Sequence, residues 1–427
     1  MPVSSGQGGN PRKSFWKKVA SLATGAVVSQ AVNVAILPIL SRLYLPTEFG
    51  VFGVFLAVVA IFAVAANLGY DMAVMLPDQD AEANGLMGIS LRACIVLSCA
   101  LCLILLPIPP AWIARAGQAA MVGWHLLIPV AVFLEGIIQA MTIALNRQKR
   151  YQEMTRMRIA RALTNALVAV GAGMSGAGVE GLMGGFLLGQ AVAAARGWWI
   201  WTRSSQWGKY TGSFITLAHK YRDFPIYGMA SAWLNVASKY VIFLLMPGVF
   251  GNEATGQYLK SERVLNLAPG LISMSIGRVF FEEASEASRR SQRDLARITG
   301  RTAARLVALG LPVLIILIGW GPQVFAWVLG AQWEQAGEFA RWLAPWLYLT
   351  MIAAPLSYLI DIQRKLPQFL LYNLLLFLVR TSVLVWAANR LEVGETVACF
   401  GIAGAVMMLV QILYLLSVAG VFKKDRI

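Results

Sequence analysis

The sequence predicts an all-α polytopic membrane protein of about twelve transmembrane helices, and three observations carry that expectation. Of 427 residues, 58% are hydrophobic and only 13% are charged, where a soluble domain carries about 25% charge. The apolar residues fall into continuous runs of about twenty, the length a helix needs to cross a hydrocarbon core of roughly 30 Å. Lys and Arg cluster in alternate connections between the runs, the bias that sets membrane orientation.

Backbone groups in lipid must be bonded internally, so spans are helices or a closed barrel. Barrel strands alternate apolar and polar residues, and these runs do not. The expected spans are 19–40, 50–69, 86–106, 122–144, 159–175, 181–201, 226–250, 264–281, 303–320, 338–360, 369–388 and 397–418. The tail 1–18 is polar and basic. The run behind it is longer than the apolar region of a signal peptide and more runs follow, so a retained first span is expected.

The basic connections are the N-terminal tail (Arg12, Lys13, Lys17, Lys18), 4–5 (Arg147 to Arg161), 6–7 (Arg203 to Arg222), 8–9 (Arg289 to Arg305), 10–11 (Arg364, Lys365) and the C-terminal tail. The intervening connections hold few cations: Arg42, Arg115, Lys260, Arg263, Arg341 and Arg390. Both termini are therefore expected in the cytoplasm, with an even number of spans. The 2–3 connection departs from the rule, being acidic (Asp71, Asp78, Asp80, Glu82). No connection is long enough to fold as a separate domain, and residues 282–305 form a charged helix or helix extension.

The net charge of +15 does not point to nucleic acid, which needs basic charge on a folded soluble surface. Cys94, Cys99, Cys102 and Cys399 sit in apolar runs without disulfide or zinc spacing, and are expected as buried packing residues. Two histidines exclude a histidine-based metal centre. No Walker A or HExxH sequence occurs, and no cofactor is expected. Asp78-Gln79-Asp80 spells a sugar-transferase DxD, but in a short connection it reads as a solvated turn.

The chain also repeats itself. Each half opens with a polar-basic stretch, a long apolar helix, an acidic residue and a Gly-x-aromatic triplet. These are Glu48 with Gly50-Val51-Phe52, and Glu253 with Gly256-Gln257-Tyr258. Six spans per half make the repeat parallel, an arrangement that places transporter sites between halves near the midplane. The expected domains are residues 1–205 and 206–427.

Ionisable groups inside spans are costly and face a cavity or a partner. Lys239 lies mid-span in NVASKYVIF, and Arg380 within FLVRTSV. Arg92 and Arg278 lie nearer span ends, where snorkelling competes with a cavity role. Glu135, mid-span in FLEGII, either pairs with a cation or carries a proton, and Asp71 is the second candidate for ion or proton coupling. A predominantly cationic set in low dielectric suits an anionic ligand, with Arg able to fork onto phosphate oxygens. Gly185 and Gly189 form a GxxxG, expected to mark close packing within the bundle.

Several stretches carry a family likeness: ILSRLYLPTEFGVFGVF (37–53), NLGYDMAVMLPDQDAEA (67–83), FGNEATGQYLKSERVLNLAPGLISMSIGRVFFEEASEASRR (250–290) and WLAPWLYLTMIAAPLSYLIDIQRKL (342–366). In these the chain resembles the polysaccharide repeat-unit flippases (Wzx-type) of the multidrug/oligosaccharidyl-lipid/polysaccharide (MOP) exporter superfamily. The resemblance implies two six-helix bundles around a central cavity. It implies transport of an undecaprenyl-diphosphate-linked oligosaccharide across a bacterial inner membrane, with a polysaccharide polymerase and chain-length proteins as partners and no nucleic acid. Surface polysaccharides, lipopolysaccharide or exopolysaccharide, would be the product. Arg42 maps by motif as the Arg of SRLY-x-P-x-E-F-G, with an interfacial role equally open. The rivals are a MATE-like small-molecule antiporter, a membrane glycosyltransferase such as an O-antigen polymerase, and a scaffold for glycan assembly.

Overall fold

The computed structural model describes residues 30–422 except 33, 116–117, 119–120, 204–207, 209 and 364, and omits the side chains of 268–275, 278 and 361. The terminal tails, most of the expected first span and the Arg278 side chain lie outside the described residues. The long helices in chain order are α1 (Gln30–Leu43), α2 (Pro46–Ala63), α3 (Asp80–Leu105), α4 (Ile128–Arg147), α5 (Tyr151–Met174), α6 (Val179–Thr202), α7 (Ala230–Leu265), α8 (Leu267–Arg290), α9 (Gln292–Leu329), α10 (Glu334–Leu356), α11 (Leu366–Ala388) and α12 (Val393–Val418). No strand occurs among the described residues.

Among the described residues, eight helical stretches, those containing α2, α3, α4, α7, α9, α10, α11 and α12, are long and apolar enough to cross a membrane. Helices α5, α6 and α8 have 24 residues each, about 36 Å at 1.5 Å per residue. They have the length to cross, but arginines in α5, glycines in α6 and carboxylates in α8 dilute their apolar character. Exposed Leu, Ile and Val side chains cover the outer faces of α3, α9, α11 and α12, as a bilayer solvent requires. Cys94 is buried as expected, whereas Cys99 and Cys102 are exposed on the outer side of α3.

The seventh expected span needs the largest revision. Helix α7 runs on past residue 250 with a single break at Gly251, whose φ of 82° and ψ of 174° suit glycine. Residues 252–265 then form a second helical arm, not the loop their polarity suggests. Gln257, Lys260, Ser261 and Glu262 on this arm are all buried. Their polar groups are satisfied by protein instead of water. Gln257 donates to the Gln332 carbonyl oxygen at 2.7 Å, accepts from the Ala336 N–H at 3.0 Å, and Ser261 donates to the Ala336 carbonyl oxygen.

Helix α7 as a whole packs against α2 more extensively than any other two of the described helices meet. At the crossing, a Cβ on Gly50 would run into the Asn252 carbonyl oxygen, and one on Gly256 into that of Pro46. The two repeat glycines are therefore contact points between the two chain halves. Gly185 and Gly189 do the same inside the first half, against the Asn165 and Arg161 carbonyl oxygens of α5.

Alternate connections gather at opposite ends. At one end, Gln118 donates to Asn252 Oδ1 at 2.7 Å, and Gln332 and Trp333 donate to the Ser41 carbonyl oxygen. At the other, Arg147 pairs with Asp80 at 2.9 Å and Lys220 with Glu82 at 2.5 Å. The acidic 2–3 connection thus complements the basic 4–5 and 6–7 connections. The Glu82 carboxylate, hydrogen-bonded to Lys220, holds that exposed ammonium above the usual lysine pKa.

Candidate functional site

A cavity of about 670 Å³ opens between α7, α10, α11 and α12. On α11 its lining residues are Leu366, Phe369, Asn373, Leu376 and Arg380, a spacing of three and four that keeps them on one helix face. Helix α7 contributes Ser231, Asn235, Ser238 and Lys239, and α10 contributes Trp346 and Thr350. Asn235 donates to Asn373 Oδ1 at 3.2 Å and Asn373 to Ser231 Oγ at 2.7 Å, an amide ladder along the wall.

Two of the cations expected in the membrane meet here. Lys239 Nζ lies 2.6 Å from Glu262 Oε1 on the second arm of α7. Arg380 is 1% exposed and its guanidinium carbon lies 3.9 Å from the ring centres of both Trp346 and Phe400. Its Nε and Nη2 have no hydrogen-bond partner. A buried charged donor without a partner is costly, so the pocket holds an unused binding capacity for an acceptor anion.

A second cavity of about 430 Å³ lies beside α1, α5 and α6, lined by Arg158, Arg161, Asn165, Phe186 and Arg263. Arg161 pairs with Glu135 at 2.8 Å, and Gln190 also donates to Glu135, at 2.8 Å. Arg263 sits over the Phe52 ring at 5.2 Å. Among the described residues, the two cavities together are lined by five cations, Arg158, Arg161, Lys239, Arg263 and Arg380, while two carboxylates, Glu135 and Glu262, pair with this set.

The other sequence candidates fall elsewhere. Arg92 is exposed and stacks on the Phe214 ring at 3.9 Å; its face of α3 turns to the linker helix Phe214–Lys220, which sequence position alone does not reveal. Arg42 is exposed at the end opposite the mouth of the larger cavity. Asp71 is buried in a single-turn helix, Tyr70–Ala73, off both cavity walls. Glu135 is held by Arg161 and Gln190. For Arg278, α8 fixes the backbone and nothing more is described.

Counting Arg158 and Arg161 with the basic 4–5 connection, and expecting a loop at residues 251–263, hid Arg158, Arg161, Arg263 and Glu262. Arg158, Arg161 and Asn165 recur at three and four residues, a helical-face signal already present in the sequence. Lys260 gave no such signal. It is fully buried, donates to Ser41 Oγ at 2.9 Å, and lies 3.5 Å from the Phe49 ring centre and 4.4 Å from that of Trp333.

Residues 39–338 match the family model described as Polysaccharide biosynthesis protein. Among curated proteins none matches the chain. Solved structures share the fold at low identity. An inward-facing multidrug resistance MATE family transporter of the MOP superfamily is 16% identical, with a TM-score of 0.73 over 93% of this chain and 96% of that one. The outward-facing form of a MATE family transporter is 15% identical, with a TM-score of 0.64 over 99% and 100%. Lipid II flippase MurJ, in an inward closed conformation, is 11% identical, with a TM-score of 0.72 over 92% and 86%. The chain has the fold of MOP superfamily transporters and belongs to the polysaccharide biosynthesis protein family.

Proposed function

We propose that this transporter is a flippase carrying an undecaprenyl-diphosphate-linked oligosaccharide across the bacterial inner membrane. Two six-helix bundles, residues 1–205 and 206–427, alternate access around the cationic chamber, with both termini in the cytoplasm. The observation that carries the reading is Arg380. A buried guanidinium with two unpartnered donor groups, clamped between two rings, is pre-shaped for a phosphate oxygen. Asn235, Asn373, Ser231 and Gln411 add amide and hydroxyl groups, and Trp346 and Phe369 add aromatic faces along the same wall, the chemistry that reads sugars. The prenyl tail stays in the bilayer and no covalent bond changes.

The larger cavity runs from Arg380 toward Met72, Tyr227 and Leu366, away from the end held by Gly50, Gly256 and Ser41. With the basic connections in the cytoplasm, that mouth faces the cytoplasm. Outward movement of an anion is downhill with a negative interior, by about 2.3 kcal/mol per charge per 100 mV. A small-molecule antiporter exporting cations would call for unpaired central carboxylates, and Glu135 and Glu262 are each held by a cation.

The test is removal of the protein from its native cell, followed by analysis of lipid-linked glycans. Accumulation of a diphosphate-linked oligosaccharide on the cytoplasmic leaflet supports the reading. Unchanged glycan pools combined with new drug sensitivity would replace it with the antiporter.

A further inference from the structure

Helix α9 carries Arg293, Arg297, Arg301 and Arg305, each four residues after the last and all exposed. This spacing keeps neighbouring arginines on one face and spreads them over about 18 Å along the axis. The opposite face is anchored: Leu295, Thr299, Thr302 and Leu306 are buried in the bundle. Gln292 at its start donates to the Val418 carbonyl oxygen at 3.0 Å. The arginine face therefore points outward in a fixed direction.

Two further observations define what meets that face. The stripe continues in the same register into exposed Leu309 and Val313, so the arginines rise directly from the surface that faces acyl chains. Three of the four charges also lack an ion-pair partner among the described residues. Asp294 is the sole carboxylate of α9, and it is engaged in the N-terminal cap with Ser291, its N–H donating to Ser291 Oγ at 3.1 Å. Arg297, Arg301 and Arg305 make no ion pair among the described residues.

We infer that this arginine row is a binding site for anionic phospholipid headgroups of the adjoining leaflet. Arg305 and Arg301, next to the apolar stripe, take the phosphate level, and Arg297 and Arg293 reach into the headgroup and surface layer. A guanidinium donates two parallel hydrogen bonds to a phosphodiester, and basic residues beside a span attract anionic lipid. The site is separate from the substrate chamber, and its test does not depend on the transported molecule.

Native mass spectrometry of the purified full-length protein, offered phosphatidylglycerol and phosphatidylethanolamine at equal concentration, reads it. The wild type should retain phosphatidylglycerol preferentially. Each arginine should contribute about fivefold, so R301Q lowers the preference by about fivefold and R297Q/R301Q/R305Q abolishes it. R297K/R301K/R305K, which keeps the charge, should retain most of it, and inorganic phosphate should not compete. Equal retention of the two lipids by the wild type, or an undiminished preference in R301Q and in the triple glutamine variant, overturns the proposal. Displacement of the lipid by inorganic phosphate overturns it as well, since the site would then be one for the free ion.

Discussion

Gly50 and Gly256 each pack against the backbone four residues before the other, Gly50 on Asn252 and Gly256 on Pro46. The contact is two-fold in character: each triplet of the internal repeat meets the other's flank. Glycine is needed because any side chain would strike a backbone oxygen that cannot move alone.

Gly256→Ala overpacks this crossing, at a cost of about 1–3 kcal/mol, and the strain is relieved by separating α2 from the second arm of α7. A cysteine placed at Ser41, which is buried beside this contact, should react faster with a polar maleimide in the Gly256→Ala background. Unchanged labelling rates would show that the crossing tolerates the methyl group and is not tightly closed.

Lys260 lies next to the same contact, buried between Phe49 and Trp333 with a hydroxyl as its hydrogen-bond partner. A charge buried in one state and hydrated in another weakens the buried state. Lys260→Met removes that penalty and keeps the volume. The variant should melt higher in detergent than the wild type and export less glycan, because the closed contact opens less often. A lower melting temperature with normal export contradicts this.

Lys239 and Glu262 form an ion pair in which Glu262 is nearly buried. Removing one partner of such a pair costs about 3–5 kcal/mol, whereas removing both costs far less. Lys239→Met should therefore lower the melting temperature more than Lys239→Met combined with Glu262→Gln. Simple additivity in the double variant would mean that the two charges do not stabilise each other.

The membrane fold was legible because lipid imposes long apolar runs and a charge alternation that no soluble fold shows. Lys239 and Arg380 were legible because charges inside such runs stand out. The second arm of α7 was not, since Gln257, Lys260, Ser261 and Glu262 read as a water-exposed turn. Only tertiary contacts with Ser41, Gln332 and Ala336 make those polar residues part of the interior. Arg92 marks the opposite error. It stands within an apolar run, yet the direction of its side chain depends on Phe214, more than a hundred residues away.

Diphosphate binding in the chamber is most directly measured at Arg380. Purified wild-type protein titrated with undecaprenyl diphosphate should show saturable binding, and undecaprenol, which lacks the charge, should bind far more weakly. Arg380→Ala should weaken diphosphate binding by at least about tenfold, the order expected for a lost charged hydrogen bond. Equal affinities for the two prenyl compounds, or an Arg380→Ala protein that binds the diphosphate as tightly as the wild type, would contradict the cationic chamber.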